Sequence, residues 1–265
     1  MRVLGAATIL IGASGGIGAA TVRAFAAAGA HLALAAPPAE TARLEELAAE
    51  ARGAGAQAIA VPADVCDRAQ IDALVRATLA AYGRVDVLAY VAGIGSSPAL
   101  ADDTDEELAR VIEVNLLGCA RAMHAVLPLM KAQGEGAIVA IGSIAGEVGI
   151  MGAYSASKFG VRGLCDTVRR EGLPHNVRVS LIEPGFVATP MNAAMRGLPP
   201  PSIVADAIVD AVRHPRRVRI VPRRYAVPAA LARLFPGLFD RIFGDARIQD
   251  RLNRDARAER AKAAG

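Results

Sequence analysis

The sequence predicts an α/β fold in which one doubly wound parallel sheet of about seven strands is flanked by helices and followed by a helical C-terminal extension. Three observations lead there. Short unbroken apolar runs recur along the chain, longer stretches with helical periodicity lie between them, and a glycine-rich turn joins the first run directly to the first helix. Such alternation marks repeated strand–helix–strand units, and apolar runs without polar alternation suit strands covered on both faces. With 265 residues, 53% of them hydrophobic, the chain is long enough for one domain with one large core.

The first strand is Ala7–Ile11. The segment from Val3 to Val22 carries no charge and follows Arg2, a pattern shared by signal peptides and membrane spans. Gly12, Gly15, Gly16 and Gly18 would place a flexible turn in the middle of such a helix and weaken it, so strand, turn and helix is the preferred reading. The second strand, His31–Ala35, precedes a helix over Glu40–Arg52, and the third, Ala56–Val61, precedes one over Asp67–Tyr82. The fourth, Val85–Ala92, leads to the long helix Asp105–Lys131. Both Asp67-Arg-Ala-Gln70 and Thr104-Asp-Glu-Glu107 set a capping side chain three residues before Gln or Glu, which marks a helix start. Strand Ala137–Ile141, helix Tyr154–Gly172, strand Arg178–Ile182, helix Ser202–Arg213 and strand Arg219–Val221 complete the layers.

No linker and no repeat of solenoid length divides the chain. The C-terminal part nevertheless differs in character. Pro222, Pro228 and Pro236 break it into short amphipathic pieces carrying Leu231, Leu234, Phe235, Leu238, Phe239, Ile242 and Phe243. That apolar stripe is expected to pack on the domain's own cleft or at a subunit interface, with shallow membrane association as the alternative. Beyond Ile248 the sequence is charged and Ala-rich, which reads as a loosely held helix or a tail.

The formal net charge of +4 conceals an asymmetry. Arg213 to Lys262 carries +9, which leaves −5 for everything before it. A globally basic nucleic-acid binder is excluded, and no nucleic-acid partner is expected; the basic C-terminal face is a solvated Arg-rich surface or a meeting point for acidic lipid or an acidic partner. Cys66, Cys119 and Cys165 are odd in number and widely spaced, and they read as small buried apolar residues in a reducing cytoplasm. His31, His124, His175 and His214 lack metal-ligand spacing, so no metal is expected.

Gly12-Ala-Ser-Gly-Gly16-Ile-Gly18 lies after a strand and opens a helix. Glycine removes the Cβ atoms that would keep a pyrophosphate away from backbone N–H groups and from the positive helix end. A nucleotide triphosphatase loop would need a Lys-Ser/Thr pair, which is missing. At the end of the second strand an acid would bind a ribose diol and a base a 2′-phosphate. Ala36, Pro37 and Pro38 stand there instead; loss of the acid tilts the reading toward NADP over NAD, although no basic partner follows directly and Arg43 is the one candidate to reach a phosphate.

Tyr154-Ser-Ala-Ser-Lys158 puts a phenol and an ammonium four residues apart on one helix face. A phenol with its ordinary pKa of roughly 10 is a poor acid-base group at neutral pH. A neighbouring ammonium, joined by a positive nicotinamide ring, would stabilise the phenolate. Ser143 follows the run Ala137–Ile141 and a glycine, at the carboxyl edge of a parallel strand where open α/β sheets bind ligands. Its hydroxyl is suited to hold a carbonyl oxygen that gains charge during hydride addition, or else to cap a turn. Asn115 is an awkward residue inside a long helix, with an amide that prefers to bond elsewhere.

Taken together, Gly12-x-x-x-Gly16-x-Gly18, Asp64-Val65, Ala92-Gly93, Asn115, Ser143, Tyr154-x-x-x-Lys158 and Pro184-Gly185 resemble the short-chain dehydrogenase/reductase family from about Ile9 to about Val221. The resemblance implies a Rossmann-type domain and an oxidoreductase that moves a hydride between NAD or NADP and a carbonyl or secondary alcohol. It implies Tyr154 as general acid or base, Lys158 on the ribose hydroxyls and lowering the tyrosine pKa, and Ser143 orienting the substrate oxygen. Asn115 would anchor a water linking Lys158 to solvent. Gly12, Ser14, Gly15, Gly16, Ile17 and Gly18 would cradle the dinucleotide, Asp64 would bind the adenine amino group and Val65 the ring, and Ala92 and Gly93 would pass the adenosine ribose. Pro184, Gly185, Val187 and Thr189 would face the nicotinamide.

Residues 1–222 would then be the dinucleotide-binding catalytic domain and 223–265 an amphipathic helical extension packed on it. Ile94, Gly95, Glu147, Ile150, Met151, Phe186, Met191 and Met195 are candidate substrate-lining residues, and their apolar bias points to a lipophilic molecule. The chain departs from the family at Ile11, where Thr is frequent, and at Tyr90-Val91, where two asparagines are frequent. A homodimer or homotetramer is implied. The alternative activity class is a dinucleotide-binding regulatory protein that keeps the fold without catalysis.

Overall fold

The computed structural model describes residues 1–250 except Pro98 and Ala194. Seven strands form one sheet in the order β3-β2-β1-β4-β5-β6-β7, and every neighbouring pair is parallel. The strands are β1 (Ala7–Ile11), β2 (His31–Ala35), β3 (Ala58–Ala60), β4 (Val87–Tyr90), β5 (Gly136–Ile141), β6 (Val177–Pro184) and β7 (Val218–Val221). The chain winds outward from β1 to β3, then returns to the other side of β1 with β4. That reversal opens a crevice beyond the carboxyl ends of β1 and β4, the place where such sheets hold ligands.

Helices cover both faces. One layer holds α1 (Gly16–Ala27), α2 (Thr41–Gly53) and α7 (Ser202–Arg213); the other holds α3 (Arg68–Tyr82), α4 (Asp105–Ile112), α5 (Gly118–Gln133) and α6 (Gly152–Gly172). Alternate residues of each strand feed the two cores: in β1, Leu10 joins the α1 side, while Ile9 and Ile11 join the α5 side. Both sets are buried, which is why the strand reads as an unbroken apolar run. At the opposite edge the buried carboxylate of Asp86 accepts from the Ala7 amide at 2.9 Å and from Arg84 at 2.6 Å, fixing the start of β1.

Val3–Val22 thus forms β1, the turn and the start of α1. Taken through its irregular middle, Asp105–Gln133 has the length and hydropathy of a membrane span, but half of its apolar window is buried inside the fold and serves the core. The helix is not uniform as expected from its pattern: Glu113–Leu117 forms a π turn between α4 and α5. Thr104 starts α4 with the expected capping box. Asp67 does cap α3, but Gln70 does not reach back to its amide; it accepts from the Asp64 amide at 2.8 Å instead.

After β7 come two short helices, α8 (Ala226–Leu234) and α9 (Pro236–Phe243). Only their small residues Ala229 and Ala232 are buried; Leu231, Leu234, Phe235, Leu238 and Ile242 are exposed. Within the single chain the extension packs by its alanine face and leaves the rest of the apolar stripe exposed. The tail past Asp250 lies outside the described residues. Cys119 and Cys165 are buried, whereas Cys66 is half-buried, which corrects the expectation for that residue.

Candidate active site

The glycine turn leaves β1 at the crevice. Gly12 has φ +87°, and a Cβ there would lie 2.5 Å from the Ala92 nitrogen at the end of β4. A Cβ on Gly18 would lie 1.9 Å from the Gly12 carbonyl oxygen. These two positions accept no side chain, so the turn folds tightly enough for α1 to begin at Gly16. No side chain caps that helix at Gly15, leaving its amides available to an anion. The loop after β6 closes over the same point, because a Cβ on Gly16 would come within 3.1 Å of the Thr189 methyl. In that loop the amide of Asn192 donates to the Val187 carbonyl at 2.9 Å.

Gly93 continues the crevice past β4, where a Cβ would meet both Lys158 Nζ and Asn115 Oδ1 at 3.3 Å. The cradle is thus bare backbone from Gly12 to Gly93, the shape that a flat, phosphate-bearing molecule requires. The donor set fits a dinucleotide: uncapped helix amides for a pyrophosphate, a carboxylate at Asp64 and an ammonium at Lys158. Asp64 is braced before any ligand arrives, since its Oδ1 accepts from the Cys66 amide at 2.9 Å and its Oδ2 lies 3.8 Å from Arg110. Val65 is buried beside Gly118. Arg43, exposed on α2, pairs with Glu46 at 2.9 Å, a contact weak enough for it to leave.

Ser143, Tyr154 and Lys158 come together at the carboxyl edge of β5. Ser143 starts a short 3₁₀ turn, its Oγ accepting from the Ala145 amide at 3.1 Å, and it is hydrogen-bonded to the Tyr154 hydroxyl. Helical spacing stacks Lys158 beside Tyr154, with Nζ 5.5 Å from the ring centroid. The Lys158 ammonium is buried and donates to the Ile141 carbonyl at 3.0 Å, so the same strand end carries both Ser143 and the lysine's anchor.

Two electrostatic consequences follow. Burial pulls Lys158 down to about 8, because a charged ammonium loses water there. Burial also pushes the Tyr154 phenol above its ordinary value, and the hydrogen bond from Ser143 opposes this only partly. For the chain's own groups the net direction at Tyr154 is upward, because desolvation outweighs the hydrogen bond with Ser143.

Asn115 sits fully buried in the π turn. Its Oδ1 accepts from the Ile94 amide at 2.8 Å, and its Nδ2 donates to the Ile94 carbonyl at 2.9 Å and to Ser157 Oγ at 3.0 Å. Both amide hydrogens are spent, so the side chain itself fastens the loop after β4 to α6; a water at this residue would have to take the main chain. Ser157 in turn donates to the Tyr154 carbonyl at 2.7 Å.

Several supporting residues escape a sequence reading. Ser157 lies within Tyr154–Lys158, where spacing alone was a signal. Ser96 Oγ accepts from the Tyr154 amide at 3.0 Å across 58 positions, with no local signal at all. Tyr90, the departure noted above, is buried and donates to the Val114 carbonyl at 2.5 Å, bracing the π turn from below; Gly118 makes room for its hydroxyl. The Tyr225 ring packs so closely on Gly185 that a Cβ there would lie 2.3 Å away.

Comparisons with known proteins agree with this geometry. Residues 6–197 match the family model described as short chain dehydrogenase. Over 193 residues the chain is 37% identical to the 3-oxoacyl-[acyl-carrier-protein] reductase of Thermotoga maritima, covering 72% of this chain and 78% of that protein. It is 34% identical over 230 residues to the glycine betaine reductase of Emericella nidulans, covering 81% of this chain but only 18% of that much longer protein. Among solved structures, a short chain dehydrogenase/reductase from Burkholderia phymatum in complex with NAD superposes with a TM-score of 0.82 at 27% identity, covering 90% of this chain and 96% of that one.

Proposed function

The chain belongs to the short-chain dehydrogenase family of NAD(P)-dependent oxidoreductases, and from that premise we propose that Tyr154 exchanges the proton, Ser143 holds the substrate oxygen, and Lys158 steadies both tyrosine and cofactor. The observation that carries this is the convergence of Ser143, Tyr154 and Lys158 at the carboxyl edge of β5, with the Lys158 ammonium 5.5 Å from the Tyr154 ring centroid and anchored on the Ile141 carbonyl. A bound nicotinamide would supply or accept the hydride. Everything else falls to the chain's residues.

In the reductive direction the substrate oxygen lies between the two hydroxyls, accepts a hydrogen bond from Ser143 and takes the Tyr154 proton. A phenol held above its ordinary pKa is a reluctant base, so protonation of the oxygen is the step the free chain is set for. Gly12, Ser14, Gly15, Gly16, Ile17 and Gly18 would bind the pyrophosphate, Asp64, Val65, Ala92 and Gly93 the adenosine, and Pro184, Gly185, Val187 and Thr189 the nicotinamide side. Asn115 holds the Ile94 loop and α6 in register, a positioning role. Residues 1–222 act as the catalytic unit and the extension packs on it through Tyr225 and α8. The absence of an acid at Ala36 and the exposed, weakly held pairing of Arg43 with Glu46 favour NADP.

A lipophilic carbonyl or secondary alcohol is the proposed substrate, supported by Ile94, Met191 and Met195, exposed at the site's mouth. A homo-oligomer is supported by exposed Leu117 and Phe159 on adjoining helices, and a reducing cytoplasm by the buried free thiols. The exposed apolar residues of α8 and α9, among Arg223, Arg224, Arg233 and Arg241, support contact with an anionic bilayer surface. Co-sedimentation with anionic but not neutral vesicles is the expected result, and failure with both removes that contact.

Replacement of Tyr154 by Phe is the test of the reaction. General acid-base catalysis is worth about 10²–10⁴ in rate, so turnover across a panel of ketones should fall by that factor while cofactor fluorescence titrations stay unchanged. Undiminished turnover would overturn the mechanism. Cofactor saturation with no turnover in the parent chain would identify the silent dinucleotide binder instead.

A further inference from the structure

A second charged cluster lies behind the catalytic serine. Glu147 closes the 3₁₀ turn that Ser143 opens, and its side chain is only 4% exposed. It pairs with Arg162, which lies one helical turn beyond Lys158 on α6 and also reaches Glu183 at 2.7 Å. Glu183 is 1% exposed and precedes Pro184-Gly185 on β6. The fourth member comes from the C-terminal extension: Arg233 Nε on α8 lies 3.3 Å from Glu147 Oε2.

Charge balance gives the fourth member its importance. Two buried carboxylates around the single guanidinium of Arg162 leave one uncompensated negative charge, and burying such a charge is costly. The strain shows at Glu183, whose Oε2 lacks a hydrogen-bond partner and whose carboxyl is pushed up by burial despite Arg162 and Arg233. Arg233 brings the cluster to neutrality. A shift of the Ser143 turn is passed to the catalytic helix, because Gly146 packs closely on the Lys158 backbone, where a Cβ would lie 3.1 Å away.

Resting on the site reading above, we infer that Arg233 is a positioning residue: through Glu147, and through Arg162 to Glu183, the C-terminal extension sets the Ser143 turn and the end of β6 against Tyr154 and Lys158. The extension is then a working part of the active site. Catalysis depends on sub-ångström placement, and a misplacement of about 1 Å costs up to about 10² in rate.

The experiment is a double-mutant cycle in the full chain with Arg233→Gln, Glu147→Gln, the double variant and Arg233→Lys. Steady-state kcat and KM are read on the best ketone of the panel, with NADPH and NADH dissociation constants measured alongside. Each single Gln variant should lose about tenfold in kcat with KM and cofactor affinity unchanged. The double variant should lose no more than Glu147→Gln alone, because that substitution already breaks the Arg233 link together with the one to Arg162, and Arg233→Lys should recover most of the rate. Additive losses, unchanged kcat, or cofactor affinity falling in step with kcat would each overturn the inference. Tyr154→Phe separates the two claims. If that variant is inactive while the Arg233 variants are normal, the tether alone falls; if the parent chain turns over no ketone, or Tyr154→Phe keeps its rate, the site reading falls and takes the tether with it.

Discussion

The dinucleotide crevice and the catalytic corner share one edge of the sheet, yet they are built by opposite means. From Gly12 to Gly93 the site is made by leaving atoms out: backbone packs where a Cβ would lie 2.5 Å from Ala92 or 1.9 Å from Gly12. From Ser143 to Lys158 it is made by groups that hold one another, with Ser157, Ser96 and Ile141 each fixing a part of Tyr154 or Lys158 and Asn115 holding Ser157. A cradle of backbone tolerates almost no substitution but needs little chemistry. A corner of side chains tolerates small changes of shape but depends on burial and charge.

The sharpest way to break that contrast is Gly18→Ala. The methyl meets the Gly12 carbonyl, which cannot move without opening the turn, so a loss on the order of 3 kcal/mol and of cofactor binding is expected in urea melts and titrations. A variant with parent stability would show that the turn is looser than its backbone contacts say.

Lys158→Met probes the corner. Because burial holds the folded-state value at about 8, below the ordinary 10.5, the unfolded chain binds this proton more readily between those values. Folding stability linked to Lys158 therefore rises from pH 8 to 10.5. The parent should gain on the Met variant over that interval, by up to about 3 kcal/mol, in paired denaturant titrations. A constant gap would mean that the ammonium is hydrated.

The smallest effect is expected outside both regions, at Asp166. Arg217, 2.6 Å away, and Arg169 hold its carboxyl at about 2 and tie α6 to the end of the sheet. A carboxylate lowered on folding stabilises above its unfolded value near 3.8 and loses that contribution as the pH falls toward 2. Asp166→Asn should thus cost about 1 kcal/mol at pH 6, and the gap to the parent should close below pH 4. A gap independent of pH would assign the loss to packing.

Much of the site was legible in the chain because its signals are local. Gly12–Gly18 and Tyr154–Lys158 are each shorter than two helical turns, and β1, β2 and α7 begin and end where their apolar patterns do. What escaped was non-local. Nothing near Ser96 says that it meets Tyr154, and nothing near Glu147 says that Arg233 lies across from it. The π turn was missed because one extra residue in a helical turn barely disturbs a 3.6-residue period, although Asn115 marked the place by its misfit.

By itself, then, the sequence determined the order of strands and helices, the bare turn for a phosphate and the phenol–ammonium spacing, since each follows from backbone sterics and helical geometry within a few residues. The tertiary structure alone decided which charges lose their water. Burial pushed the Tyr154 phenol up, brought Lys158 down, and enclosed Glu147, Arg162 and Glu183 with Arg233 at the rim. Desolvation depends on everything packed around a group, and that information is spread over the whole chain.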